Sequence, residues 1–512
     1  MARSTGSTST GMRGRLTEGK SFDKDPLQEK AIAEIVNSFS SGALNGSGTG
    51  AGKTYVGIRG AYERDAQRVL IIAQPKVMSN FADTLESVYG EKLRVCANAK
   101  FRGVPKDEAV ENKRACMAGE PGWYFVSREL FLKEMQHTRI IKHRNGKTSK
   151  KREIIRTWDK KAPFDFVIYD ECQMAASAKS KSAQALRKLE ADFLLLQSAD
   201  WFGGEIGNQY SISRTIWPEW TDRQYKDFKE WRDDTCETVY DHFAFDKKAI
   251  VGEQWPGFFA ASLPLYVRIP SPIEKPEPER HVIELTAKER KLYDQLKKNM
   301  AAEIEGGLFV VDMNVTLHLR LREATLGVFH PVATQRKDKK TGEMIDTQTI
   351  DYRPGDESST VDAIREIMDR HEGEPVIVLT HSRKFAQKAA ADLGGLPYTG
   401  SETDNQKAEA ERAFLAGETR VLVGTEAMAE GLDGLQDVCR IAIIASRPGK
   451  NYMTPQFIGR VARRGQKREP QVYEIMRRKT LDDSMPKNGK LTKGLIEKAI
   501  AKELMLTQAK SL

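Results

Sequence analysis

Short, nearly unbroken apolar runs recur along the chain, each followed by a polar turn and a stretch with helical spacing. In the first half they are Arg68–Ala73, Gly122–Val126, Phe164–Tyr169 and Phe193–Leu196; in the second, Pro375–Leu379, Arg420–Gly424, Arg440–Ile444 and Gln471–Ile475. Runs this short and this apolar predict strands buried on both faces, the signature of a parallel sheet covered by helices. Helical periodicity spans Glu29–Phe39, Glu289–Glu305, Val315–Leu326, Lys384–Leu393 and Gln406–Leu415. Alternation of the two patterns predicts an α/β protein with two doubly wound sheets in tandem and helical insertions. The expected organisation is a disordered tail over 1–20, a first α/β domain over 21–262, a connector and helical insertion over 263–355, a second α/β domain over 356–485 and a C-terminal helix over 486–512. The connector is marked by the proline-rich stretch Pro264–Pro278, where Arg268 is a candidate for facing nucleotide or nucleic acid.

Composition narrows the class. With 512 residues, 39% hydrophobic and 30% charged, the chain has material for two to four packed domains and is not generally disordered. No apolar run approaches the length of about 20 residues that spans a bilayer, and the N-terminal MARSTGSTSTGMRGR lacks the apolar core of a secretory signal. A cytoplasmic protein is expected. The five cysteines are scattered without a CxxC pair, which suggests neither a disulfide framework nor a zinc site. A formal charge of +9 favours a polyanionic partner.

The chemistry is concentrated in the loops that follow the apolar runs. Asn45–Thr54 is a glycine-rich loop ending in Lys53-Thr54, just before a helix-compatible segment. Such a loop cradles phosphate: the backbone N–H groups of Gly48, Thr49, Gly50, Ala51 and Gly52 converge on oxygens, Lys53 reaches the terminal phosphates and Thr54 ligates Mg²⁺. The strict pattern has glycine where this chain has Ser47. Asp170-Glu171 follows the run ending at Tyr169. Beside a phosphate loop, the first carboxylate is expected to hold Mg²⁺ and the second to act as general base on the attacking water. In the second half, Gln456, Arg460 and Arg463 fall on one helical face at spacings of four and three, with Arg460 and Arg463 expected to act as arginine fingers on a transferring phosphoryl group.

Taken in order, Gly50–Thr54, Asp170-Glu171-Cys172-Gln173 and Gln456–Gln466 resemble the motifs of superfamily-two helicase-like ATPases of the DExH type. Within that superfamily the chain is most similar to Swi/Snf-type double-stranded DNA translocases. Supporting segments are Gln74-Pro75-Lys76, the Leu317–Arg322 helix leading to His330-Pro331, and Lys479–Asp483. Gln173 replaces the usual histidine, Asp200 the usual threonine of the Gln197–Asp200 segment, and Ser446-Arg447-Pro448 stands where the family has Trp-Asn-Pro. The resemblance implies two RecA-like domains with ATP and Mg²⁺ in the cleft between them. It adds Gln28, Gln173, Gly431, Asp433 and Gln456 to the nucleotide-binding residues, with Gln28 reading adenine through its two-sided amide. It also implies an ATP-dependent DNA translocase of phage or bacterial type, acting on duplex DNA without sequence preference and working with replication or recombination proteins. The alternatives are a strand-separating helicase, an ATP-switched binding module of a nuclease or recombination complex, and action on RNA.

Two features stand outside these motifs. His137–Lys161 is strongly basic and has a turn signal at Asn145-Gly146, so it reads as a hairpin that is either a solvated loop or a contact to nucleic-acid phosphates. A second charged hairpin turns near Lys339–Gly342. Trp217, Trp220, Tyr225, Phe228 and Trp231 read either as a base-stacking platform or, from their spacing, as helix-packing residues.

Overall fold

The computed structural model describes residues 25–142, 148–240, 246–299, 301–304, 307–310, 314–337, 344–432, 434–449, 453–463 and 465–484. The turns expected at 145–146 and 339–342, the N-terminal tail, the C-terminal helix and Asp433 lie outside these residues. The chain divides into two compact units, 1–271 and 272–512.

The first unit is built on seven strands: β1 (Gly42–Asn45), β2 (Arg68–Ala73), β3 (Leu93–Cys96), β4 (Gly122–Ser127), β5 (Phe164–Asp170), β6 (Ala191–Gln197) and β7 (Tyr266–Val267). They pair in parallel in the order β7-β1-β6-β5-β2-β4-β3. Both faces are covered, which explains the continuous apolar runs. Val69, Ile71, Phe125, Phe166 and Ile168 pack into one core, and their neighbours Leu70, Ile72, Tyr124, Val126, Val167 and Tyr169 into the other. Trp217 and Trp231 are buried with the second of these cores, and Trp220 and Tyr225 pack against it, so the aromatic series is mainly packing. Phe228 keeps 41% of its surface exposed while packing on Trp231.

The second unit has six parallel strands: β8 (Glu279–Ile283), β9 (Val376–Leu379), β10 (Leu396–Tyr398), β11 (Val421–Gly424), β12 (Ile441–Ile444) and β13 (Gln471–Arg477), ordered β8-β13-β12-β9-β11-β10. Val376, Val378, Val423 and Ile443 face one core; Ile377, Leu379, Leu422 and Ile444 face another. Two parallel sheets, each sandwiched by helices, make the tandem RecA-like architecture.

Several boundaries differ from expectation. The stretch 263–355 is not a separate connector. Its first part forms β7, because the Leu44, Gly46 and Gly48 N–H groups donate to the carbonyls of Leu265, Val267 and Ile269. An edge position tolerates the flanking prolines. The remainder belongs to the second unit, where Leu292, Tyr293, Leu296, Leu317 and Leu321 join the core of Ile364 and Ile367. The helix expected to reach Glu305 spans Ala287–Asn299 and is followed by a ribbon, Ala301–Ile304 with Gly307–Val310. Three further antiparallel ribbons stand apart from the main sheets: Gln136–Lys142 with Thr148–Ile154, Cys236–Tyr240 with Lys248–Glu253, and His330–Lys337 with Met344–Asp351.

Candidate active site

After β1 the chain enters the loop Gly46–Gly52 and then the helix Lys53–Glu63. The loop is stitched to the chain around β7 rather than standing free. Besides the Gly46 and Gly48 bonds, the Ser47 N–H donates to Asn45 Oδ1 at 3.1 Å, and the Ile269 N–H donates to Ser47 Oγ at 3.0 Å. Ser271 Oγ donates to the Thr49 carbonyl at 3.0 Å. Ser47 is fully buried, so its hydroxyl has a structural use that glycine would not supply. Glycine is needed on either side: a Cβ at Gly46 would lie 2.5 Å from the Tyr266 ring, and one at Gly48 would lie 2.6 Å from the Ser271 nitrogen.

Gly52 has the left-handed φ of +83° and leads directly into the first turn of the helix, so the helix N-terminus adjoins the loop. Lys53 Nζ donates to the Ser47 and Gly48 carbonyls at 3.1 and 3.0 Å, which places an ammonium inside the curl. Half-buried Thr54 follows in the first turn. Gln28 sits near the start of the helix Pro26–Asn37, which is capped by Asp25. Its amide reaches the same loop, with Nε2 donating to the Ala51 carbonyl at 3.1 Å. A Cβ on Gly52 would collide with that amide at 2.4 Å. Residues 24 positions apart thus meet at one loop.

The acidic pair lies at the end of β5. Parallel register sets Asp170 beside Gln197, whose Nε2 donates to Asp170 Oδ1 at 3.0 Å. Burial, followed by the charge of adjacent Glu171, pushes the Asp170 carboxyl up to about 6. Hydrogen bonding from Gln197 and the charge of Lys53 act in the opposite direction. Glu171 itself has φ +54°, a left-handed conformation uncommon for a non-glycine residue, as it turns out of the strand into the short helix Cys172–Ala175. Its Oε2 accepts from Gln173 Nε2 at 2.6 Å and from Ser198 Oγ at 3.4 Å. Gln173 therefore holds the candidate base in place. Asp200 stabilises a turn by accepting from the Gly204 N–H at 3.2 Å. Gln197 and Ser198 escaped assignment from sequence, although equal strand ends in a parallel pair point to them.

This set of groups fits a nucleotide phosphate chain with Mg²⁺. Among the described residues no group of three or more His, Cys, Asp or Glu side chains gathers to hold a metal alone. Mg²⁺ in phosphate sites takes one or two carboxylates together with substrate oxygens. Asp170, a carboxylate destabilised by burial, and the Thr54 hydroxyl are of that kind, and a bound cation would relieve the raised Asp170 carboxyl.

In the second unit the expected helix spans Met453–Val461 and includes Gln456, half-buried, and Arg460. Arg460 grips the end of the helix Glu426–Gly431: Nε and Nη2 donate to the Ala429 carbonyl at 2.9 and 2.7 Å, and Nη1 donates to the Leu432 carbonyl at 2.5 Å. Gly431 is the last residue of that helix. Arg463 lies beyond the 453–461 helix rather than on its face. The helix is stopped where Gln466 Nε2 donates to the Val461 carbonyl at 3.1 Å and the Cys439 carbonyl at 2.9 Å, with Gly465 at φ +101°. Arg447, in the Ser446-Arg447-Pro448 segment, pairs with buried Glu474 of β13.

Residues 359–465, which include these elements, match the family described as the helicase conserved C-terminal domain. The chain carries a helicase C-terminal domain. Among curated proteins, the DNA 3'-5' translocase XPB2 of Sulfurisphaera tokodaii is 27% identical over 204 residues, 39% of this chain and 43% of the relative. The chain thus matches less than half the length of that relative. Among solved structures, the Sulfolobus solfataricus SWI2/SNF2 ATPase core in complex with dsDNA is similar at 14% identity, with 97% of both chains covered and a TM-score of 0.37. The same core domain without the complex gives 15% identity, 92% and 91% coverage, and a TM-score of 0.34.

Proposed function

We propose that this protein is a nucleic-acid-dependent ATPase that uses Mg-ATP to move along or remodel duplex DNA. The observation that carries the reading is the convergence, in the first unit, of a phosphate loop, a buried carboxylate suited to Mg²⁺ and a positioned glutamate, in a chain that also carries a helicase C-terminal domain. The named relative is a DNA translocase, which favours DNA over RNA. In this reading Gly48–Thr54 bind the triphosphate, and Gln28 contacts the base. Asp170 and Thr54 hold Mg²⁺, and Glu171, oriented by Gln173 and Ser198, takes the proton from the attacking water. Arg463 stabilises charge on the transferring phosphoryl group, and Gln456, Gly431 and Asp433 contribute to nucleotide contact. Arg460 acts as a positioning residue, because its guanidinium is engaged with the 426–431 helix end. Phosphate contacts would make DNA binding largely independent of sequence.

The test is ATP hydrolysis measured with duplex DNA, single-stranded DNA and RNA side by side. Stimulation at least tenfold by duplex over the nucleic-acid-free rate is expected. Equal rates with and without every nucleic acid would overturn the reading. Displacement of a triplex-forming strand without separation of a duplex would assign translocation rather than unwinding.

A further inference from the structure

The basic segment 137–161 is an antiparallel ribbon in its described part, Gln136–Lys142 with Thr148–Ile154, paired only with itself. Its root is fixed in the first unit. Met135 and Trp158 are fully buried, the Ile155 N–H donates to the Met135 carbonyl at 2.8 Å, and Lys188 Nζ donates to the Ile154 carbonyl at 2.5 Å. The root of the ribbon is therefore held by the body of the protein.

Register places Arg139 opposite Lys151, Thr138 opposite Arg152, Ile140 opposite Lys150 and His137 opposite Glu153. Positions alternate between faces along a strand, so Arg139 and Lys151 fall on one face, and Lys142, Lys150 and Arg152 on the other. Against these five cations the two strands hold one acid, Glu153. Like charges directly opposite destabilise an antiparallel pair, and an isolated two-stranded ribbon is marginal without an apolar face. The other three described ribbons serve as internal controls. Their register sets Lys248 against Tyr240, Glu303 against Leu308, Gln335 against Asp346 and Arg336 against Ile345, with no two like charges opposed. A cationic pair retained at this one ribbon calls for a compensating polyanion.

Resting on the reading above, we propose that the paired strands 136–142 and 148–154 are a duplex-DNA contact, their two cation-bearing faces lying between backbone phosphates of one groove. Seven residues per strand give a length of roughly 20–24 Å. A two-stranded ribbon is also the width that the major groove, about 12 Å across, admits. The contact is to phosphates and carries no base preference.

The experiment uses the full chain and measures duplex affinity by fluorescence anisotropy across a salt series. Each lost phosphate contact lowers the slope of log affinity against log salt by about 0.9. Arg139→Gln/Lys151→Gln is expected to lower that slope by nearly two and to weaken binding at least tenfold at low salt. The DNA-free ATPase rate should be unchanged. Lys151→Glu supplies the readout that separates binding from folding: an opposite-charge pair across from Arg139 should leave the melting temperature equal or higher while DNA binding falls further. A variant that binds DNA with the wild-type affinity and slope overturns the proposal, as does a Lys151→Glu protein that loses binding only in proportion to lost stability. Polyglutamate that binds as tightly as duplex and depends on the same residues would assign an acidic protein partner and overturn it too. Failure of the unaltered chain to bind any DNA would instead bring down the reading on which the proposal rests.

Discussion

At the carboxyl ends of the strands in the first unit, the acidic pair is held by amide side chains, Gln197 on Asp170 and Gln173 on Glu171, while Lys53 and Gln28 rest on carbonyls of the phosphate loop. In the second unit, the corresponding loops direct their charged groups into their own backbone and sheet. Arg460 holds the carbonyls of Ala429 and Leu432, and Arg447 is paired with Glu474. Buried Arg477 bonds to Asp482, Thr360 and the Ala445 carbonyl. Both sheets are parallel and both are sandwiched, so the fold does not create the difference. What differs is whether a loop residue can change partner without unfolding its surroundings. Glu171 shares an amide and a hydroxyl that can reorganise around a water, whereas Arg460 is built into a helix terminus. The comparison teaches that an arginine in a family motif need not act directly on the reaction.

The largest expected effect breaks the first half of that comparison. Glu171→Gln preserves shape and removes the proton acceptor, so kcat should fall by about 10²–10⁴-fold, the contribution of a positioned general base. Its melting temperature should stay near wild type, because glutamine keeps the size of the side chain and an amide oxygen that can accept from Gln173 and Ser198. Phosphate release measured at saturating ATP checks the first point and thermal unfolding the second. Turnover within tenfold of wild type would show that the water is activated elsewhere.

The second half is sharpened by treating the two arginines separately. Arg460→Met leaves two carbonyls at the end of the 426–431 helix without their donor, at a cost of roughly 1–3 kcal/mol for each if it stays dry. Unfolding by denaturant should move to lower concentration by a matching amount. Arg463→Ala should leave that midpoint unchanged, spare nucleotide binding, and reduce kcat by 10³-fold or more, in keeping with the size of arginine-finger effects. If Arg460→Met is as stable as wild type and only hydrolysis suffers, the distinction between the units fails at this residue.

How much of this was legible beforehand follows the range of the interactions. The phosphate loop, Asp170 and Glu171 depend on local spacing after a strand, and spacing is visible in a sequence. The buried use of Ser47 was not, since its partner Ile269 is 222 residues away. Tyr266–Val267 looked like connector because prolines flank it, yet pairing at a sheet edge needs only alternate N–H groups, and prolines beside the edge do not remove them. Gln456, Arg460 and Arg463 share a face only if the helix continues. Gln466 ends it by reaching back to the Val461 carbonyl, a contact that periodicity does not encode. The Gln136–Ile154 ribbon was foreseen as a hairpin, but the opposition of Arg139 and Lys151 required the register.

The smallest effect concerns pH, and it separates the units by the property that responds. In the second unit Arg440 Nε donates to Glu374 Oε2 at 2.8 Å, and Arg468 adds a second contact at 2.8 Å. The Arg440 hydrogen bond holds the Glu374 carboxyl below its ordinary 4.5. Because the folded value lies below the unfolded one, the pair contributes stability that is complete above about 4.5 and lost as pH falls through the folded value. His371 is lowered from 6.5, by burial first and by the charge of Arg440 second, so protonation below 6.5 is already costly to the fold. Arg440→Met should therefore lower stability by about 1 kcal/mol at pH 7, the size expected of a partly exposed pair. The gap to wild type should narrow first below pH 6.5, as the variant protonates His371 at less cost, and close further below pH 4.5. ATP hydrolysis at pH 7 and a temperature well below unfolding should be unaltered. A gap that stays constant from pH 8 to pH 3 would show that Arg440 acts through packing rather than charge, and a change in turnover would place chemistry in a part of the second unit where the geometry shows only structure.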